Sequence, residues 1–331
     1  MMISLVFGGS SSGKSEYAER LVIALSGDEN RYYIATMDSR GAEAKRRIAR
    51  HLNLRRGKGF TTVECPVNIL SAADHIPDRS SASLLIESLS TLLANEMFGE
   101  GRYPDGDVSG LAGKIYEELM DLCRNVSNAV IVSDNIFEDG MEYDASSVQY
   151  AAALGMINSW TARSADQVTE VIAGIPVQLD TDQGPEDMHM DNNGSSLVIG
   201  GFAQGKLSWV TKSLAERKIR PVIFDETTFD GQEPDLSGIK KADALVIDHF
   251  HLIVKQKGAR KALELMESLK AFCIREGASL TVISDEVGNG VVPADVAAIR
   301  YREEVGDALQ ALAGSADHVY RIACGIPVTI K

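Results

Sequence analysis

The chain has no run of about 18 apolar residues, so nothing in it predicts a helix that spans a bilayer. Its opening residues, Met1 to Phe7, are too few for the apolar region of a secretory signal and run straight into a glycine-rich loop; a cytoplasmic location is the expectation. Cysteine is scarce. Cys65, Cys123, Cys273 and Cys324 are dispersed with no CxxC pair, which argues against a disulfide framework or a zinc knuckle. Basic residues are outnumbered, 33 Lys and Arg against 47 Asp and Glu, for a formal charge of -14. That balance opposes a nucleic-acid backbone as partner, because such partners are met by clustered basic surface. Any nucleotide here is expected to be a bound small molecule.

What remains is the composition of a folded protein, 44% hydrophobic and 24% charged, in 331 residues that suit two cores better than one. Two segments begin alike: S-L-V-F-G-G-x-x-x-G-K-S from Ser4 to Ser15, and S-L-V-I-G-G-x-x-x-G-K-L from Ser196 to Leu207. Two also end alike, with A-D-x-V followed by G-I-P-V at Ala165 to Val177 and at Ala316 to Val328. The starts lie 192 residues apart and the ends 151, so the second copy is shorter by about 41. Between the copies runs an acidic stretch rich in turn formers, which reads as a linker. The expected domains are 1–180 and 196–331, joined by 181–195.

Within each copy short β-rich runs alternate with helical stretches. ISLVF, RYYIAT, SLLIES, AVIVSD and QVTEVIAGIPVQL in the first are matched by SLVIGG, RPVIFD, ALVIDH, SLTVISD and HVYRIACGIPVTI in the second. Helices are expected at Glu16 to Ala24, Glu43 to His51 and Ala145 to Arg163. Unbroken apolar runs predict strands buried on both faces, hence an α/β fold with a doubly wound, mostly parallel sheet in each copy. Pro176 and Pro327 place the closing G-I-P-V element at an antiparallel edge.

Gly8, Gly9, Ser10, Ser11, Ser12, Gly13, Lys14 and Ser15 satisfy GxxxxGK[ST] between a predicted strand and a predicted helix. In that context the backbone N–H groups face phosphate oxygens, Lys14 adds a point charge and the Ser15 hydroxyl can ligate Mg²⁺. Glu87 ends another apolar run and could hold the water shell of the same ion; an ordinary acid near a helix start is the alternative. The segment from Ala44 to Glu64 is basic in an acidic protein, and Arg47, His51 and Arg55 share one helical face. An imidazole there could attack an α-phosphate while the arginines stabilise the transferring charge; a solvated basic helix is the competing reading.

These motifs together resemble the bifunctional adenosylcobinamide kinase/adenosylcobinamide-phosphate guanylyltransferase family. The resemblance is carried by Gly8 to Ser15; Tyr33 to Thr36; Arg47, Ile48, His51, Arg55, Thr62 and Glu64; Glu87 and Asn95; Asp285 to Pro293; and Gly325 to Lys331. It implies two tandem P-loop domains of the RecA type and a two-step transferase. A nucleoside triphosphate, ATP or GTP, first phosphorylates adenosylcobinamide, and GMP from GTP is then transferred through a guanylyl-histidine. By position His51 would be the nucleophile and Lys14 the catalytic lysine. Ser15 and Glu87 would serve Mg²⁺, while Ala35, Thr36, Met37, Arg55, Glu64 and Glu87 would border the nucleotide.

The family's motifs are divided between the copies. Where the first should continue E-V-G-x-G-[IV]-V-P it reads Asp134-Asn135-Ile136-Phe137-Glu138-Asp139-Gly140; the second keeps that block but carries Leu207 in place of the metal-binding hydroxyl and has no histidine segment. Asp248 stands where Glu87 does, and His249 and His251 beside it read as structural. Near the nucleophile, Arg56 and Phe60 replace the Pro and Trp of the family pattern. The division implies a pseudo-dimer within one chain, with homo-oligomers also open, in which the second copy lends Glu286 to Pro293 or a scaffold surface. A kinase of another small alcohol and a non-catalytic nucleotide-binding regulator are the alternative functions.

Overall fold

In the computed structural model, residues 1–27, 30–37, 57–99, 107–137, 144–180, 194–230, 234–287 and 295–331 are described. His51, Arg47, Arg55, the expected helix at 43–51, most of the linker and the block Gly288 to Pro293 lie outside them. The chain divides into two units, Met1–Ile136 with Asp144–Thr181, and Phe137–Tyr143 with Asp182–Lys331.

In the first unit the apolar runs become β1 (Met2–Gly8), β2 (Asn30–Ala35), β4 (Ala82–Glu87), β5 (Asn128–Asp134) and β6 (Gln167–Ile172). Two edge strands join them, β3 (Phe60–Glu64) and β7 (Ile175–Leu179), to give the order β3-β2-β4-β5-β1-β6-β7. All neighbours are parallel except β6 and β7, the hairpin that the G-I-P-V motif anticipates. Leu5, Ile34, Leu84, Leu85 and Ile86 are wholly buried. Burial on both faces explains why these strands read as unbroken apolar runs, and each such side chain contributes about 1.5–3 kcal/mol. β3 escapes that signal: Thr61, Thr62 and Glu64 are exposed at the sheet's edge, so the sequence shows no apolar run there.

Helices α1 (Lys14–Ser26), α2 (Leu89–Phe98), α3 (Val108–Cys123) and α4 (Ala145–Ser164) cover the sheet. Ser88, Asp107 and Asp144 cap the last three through side-chain oxygens that accept from the N–H of Thr91, Gly110 and Ser147. Helix α1 has no such cap. Its first turn is left open to an anion.

The second unit repeats the plan with β8 (Ser195–Ile199), α5 (Lys206–Glu216), β9 (Pro221–Phe224), β10 (Ala244–Ile247), α6 (Phe250–Lys257), α7 (Ala259–Glu276), β11 (Ser279–Ile283), α8 (Val296–Ser315), β12 (His318–Ala323) and β13 (Ile326–Thr329). Its order, β13-β12-β8-β11-β10-β9, matches the first unit strand for strand, without a partner for β3 among the described residues. Both units are doubly wound, mostly parallel α/β domains. In each, the chain leaves the central strand and returns three strands away, so a crevice opens at the carboxyl ends of the strands, where such folds bind ligands.

Candidate functional site

The loop from Gly8 to Ser15 sits in that crevice. Ser11 (φ 58°) and Gly13 (φ 92°) both adopt left-handed backbone, which turns successive N–H groups toward one concavity ahead of α1. Gly13 needs to be glycine on two grounds, its φ and the 3.2 Å that would separate an added Cβ from Gly174 Cα. The loop is also tied to the β6–β7 turn, where Gly174 N donates to Ser12 O at 2.7 Å.

Lys14 is buried to 8% exposure. Its Nζ donates to Gly9 O at 3.0 Å and pairs with Asp134 Oδ1 at 2.6 Å. The Ser15 hydroxyl donates to Glu87 Oε1, and the Tyr33 hydroxyl donates to Glu87 Oε2 at 3.1 Å. Glu87 is therefore the last residue of β4, not an exposed acid at a helix start, and is directed at the loop from across β5. Asp134 ends β5 directly opposite Gly8, and its second oxygen accepts from Ser90 at the start of α2. Ser90 O in turn accepts from Tyr150, whose hydroxyl is pushed up to about 12 by burial and secondarily by the charge of Asp134.

Register brings three of the expected residues to one level. Ala35 pairs with Glu87 on one side and with Glu64 on the other. Thr36 is wholly buried and ties the β4–α2 junction: its hydroxyl donates to Glu87 O at 2.9 Å and accepts from Ser88 N at 2.7 Å. Asn95 clasps the same place, donating to Thr36 O and Pro66 O at 2.7 and 2.9 Å. Met37 follows, half-buried. Glu64 stands apart. Four strand steps separate β3 from β1, about 19 Å at ~4.8 Å per step, so Glu64 lies well away from the loop.

Two functional candidates were not picked out from sequence. Asp134 belongs to a stretch that departs from the family motif, and Tyr33 counts among the residues that carry the resemblance without being given a role in the site. Their signal was positional, a polar group at the carboxyl end of a strand next to a glycine-rich loop. Asn158 is buried in α4, where it accepts from Ser133 at 2.6 Å and so braces β5.

The second unit's loop copies the first in backbone, with Ala203 at φ 54° and Gly205 at φ 83°. Lys206 donates to Gly201 O and pairs with Asp285, and Gly325 N donates to Gln204 O at 3.1 Å. Strand register sets Asp248 in Glu87's place and Ile223 in Tyr33's, and His251, three residues past Asp248 as Ser90 is past Glu87, meets Asp285 as Ser90 meets Asp134. Burial pushes the Asp248 carboxyl up, and pushes the His251 imidazole down to about 4. His251 Nδ1 accepts from Asp285 N at 3.2 Å, which is a structural use of the ring.

Strand order, loop conformation, an invited lysine and a hydroxyl facing a strand-end carboxylate define a P-loop nucleotide-binding protein. A family model described as cobinamide kinase / cobinamide phosphate guanyltransferase matches residues 4–179 and 236–330. The chain belongs to that family. Over 188 residues it is 29% identical to the bifunctional adenosylcobalamin biosynthesis protein CobU of Salmonella typhimurium, a match spanning 54% of this chain and 99% of that protein. The similarly named CobP of Pseudomonas aeruginosa is 30% identical over 185 residues, 54% of this chain and 97% of its own length. CobU of Escherichia coli is 28% identical over 186 residues, covering 54% and 99%. Among the described residues no helix is long and apolar enough to cross a membrane.

Proposed function

We propose that the chain is a bifunctional transferase. It phosphorylates the aminopropanol hydroxyl of adenosylcobinamide with ATP or GTP, then moves GMP from GTP through a guanylyl-histidine at His51 onto the phosphate so formed, with pyrophosphate leaving. The observation that carries this reading is the convergence of Lys14, the Ser15–Glu87 pair and an uncapped α1 on one crevice, in a chain of this family.

The loop's N–H groups and Lys14 would bind the β- and γ-phosphates. Lys14 neutralises charge that builds as the γ-phosphoryl group departs. Ser15 Oγ and the Glu87 carboxylate are hard oxygen donors that already meet side by side, a set that suits Mg²⁺ with water completing its shell. When bound, that ion would neutralise phosphate charge. Tyr33 holds the second oxygen of Glu87 and so fixes the carboxylate's direction. Ala35, Thr36 and Met37 would line the nucleotide's edge, with Glu64 beyond them.

For the second step, His51 supplies the nucleophilic nitrogen and Arg55 a charge for the transferring group. Support for these two comes from the family's motif. A cytoplasmic site of action is part of this reading, because the dispersed cysteines suggest no disulfide framework.

The test uses the full chain with Mg²⁺ and α-labelled GTP. Acid-labile, base-stable label should appear on the protein and vanish in His51→Ala, which should still bind nucleotide. A wild-type chain that binds GTP yet takes no label would overturn guanylyl transfer and leave a kinase or a plain nucleotide binder.

A further inference from the structure

The loop's two recruitable side chains are each held by a different carboxylate. Ser15 donates to Glu87 at the end of β4, and Lys14 pairs at 2.6 Å with Asp134 at the end of β5. These are adjacent parallel strands, so both carboxylates face the same concavity. Both donors have work elsewhere once a triphosphate arrives, because the hydroxyl ligates the metal and the ammonium moves onto phosphate oxygens. Their departure leaves two anions facing the place where a divalent cation would sit. A carboxylate abandoned by its lysine beside phosphates needs a new positive partner.

We propose that Asp134 is a second positioning carboxylate of the metal–triphosphate site: it holds Lys14 while the loop is empty and orients the water shell of Mg²⁺ once Lys14 has turned to the phosphates. The inference rests on the transferase reading above. Ser90 belongs to the same device. Its hydroxyl donates to the second oxygen of Asp134, so the carboxylate keeps its direction after Lys14 leaves. The side chain of Asp134 is 29% exposed and opens toward the crevice, as a group that meets water must. In the second unit the corresponding Asp285 has His251 Nε2 at 3.6 Å in place of a hydroxyl, and Leu207 removes the companion metal ligand. That aspartate keeps its lysine without the rest of the device.

The proposal makes two opposed demands on one variant. Asp134→Asn removes the partner that competes with phosphate for Lys14 and deletes a negative charge, so binding without metal should tighten a few-fold. It also removes an outer partner of the metal, and such losses typically weaken metal affinity by roughly 10-fold or more. A fluorescent GTP analogue is titrated onto the full chain in EDTA, and the Mg²⁺ concentration giving half of the metal-induced gain is then measured. Ser90→Ala keeps the carboxylate and should raise that half-point by a smaller factor; it decides the matter if Asp134→Asn does not fold. Tighter metal-free binding with a higher Mg²⁺ half-point supports the proposal. An unchanged half-point, or weaker binding in EDTA, overturns it. Failure of the wild type to bind the analogue at all would sink the transferase reading itself, a separate result.

Discussion

Lys14 and Lys206 hold the same place in their units. Each opens a helix, donates to the carbonyl of a loop glycine, and pairs with an aspartate at the carboxyl end of the neighbouring strand, Asp134 the last residue of β5 and Asp285 two residues past β11, at 2.6 and 2.5 Å. Asn135 N donates to Gly8 O and Glu286 N to Gly200 O, at 2.9 and 3.0 Å. Asp166 accepts from Ile3 N and Asp317 from Ser195 N. The groups around the lysine are what differ. Ser15, Tyr33 and Ser90 of the first unit become Leu207, Ile223 and His251 in the second, so three hydroxyls that organise two carboxylates are gone. A glycine-rich loop with its lysine is thus a way of closing this fold, and the metal-bound triphosphate proposed for the first unit calls on the further hydroxyls that the second has lost.

The widest separation of the two units should come from their lysines. Lys14→Gln keeps a donor for Asp134 but removes the charge that faces the phosphates, and should lower kcat/KM for phosphorylation by about 10²–10³. Lys206→Gln should change it no more than a few-fold. Equal losses from both would mean that the second loop also handles nucleotide, and the distinction between the units would have to be abandoned.

Titration separates them next. His251 is buried neutral, with its pKa lowered from 6.5 to about 4, so between those values the unfolded chain takes up a proton that the folded unit does not. Stability of the second unit is therefore full above pH 6.5 and falls as the pH drops toward 4, by up to about 3 kcal/mol. Urea denaturation followed by Trp209, with Trp160→Phe removing the other indole, should show this slope, and His251→Asn should flatten it. A slope that survives the substitution would assign the pH dependence to groups other than His251; Asp248, whose carboxyl is raised by burial, works in the opposite sense, because the folded state binds its proton more tightly.

Much of this was legible beforehand because burial writes itself into sequence. Strands covered on both faces must be apolar throughout, so β1, β2, β4, β5 and β6 stood out as runs, and the repeated start and end motifs exposed the second unit. Strand β3 did not stand out, since an edge strand with exposed Thr61, Thr62 and Glu64 has no run to show. In the site, GxxxxGKS announced the loop because its chemistry is local in sequence. The roles of Asp134 and Tyr33 have no such local signal: each reaches the loop through strand order, Tyr33 from β2, three strands from β1, and Asp134 from β5, the strand beside the loop. Non-local contacts of that kind leave no spacing to read.

The finest test concerns why the second unit keeps its first glycine. An added Cβ at Gly8 would lie 2.5 Å from Val171 O, and one at Gly200 would lie 2.4 Å from Ile322 O. Val171 and Ile322 occupy the same position on β6 and β12, so in both units the glycine admits a neighbouring strand's backbone rather than a ligand. Gly200 also has φ of 146°, which an alanine adopts only under strain. Gly8→Ala should therefore cost its unit about 1–3 kcal/mol as in other overpacked sites, and Gly200→Ala at least as much in the second. Gly200→Ala should do so while leaving GTP affinity of the first unit as it was. Gly9→Ala, with nothing within 4 Å of the new methyl, should cost neither fold measurably and provides the internal control. If Gly200→Ala were neutral to stability, packing could not be the reason the motif persists there, and close approach of a phosphate to the second loop would become the better account.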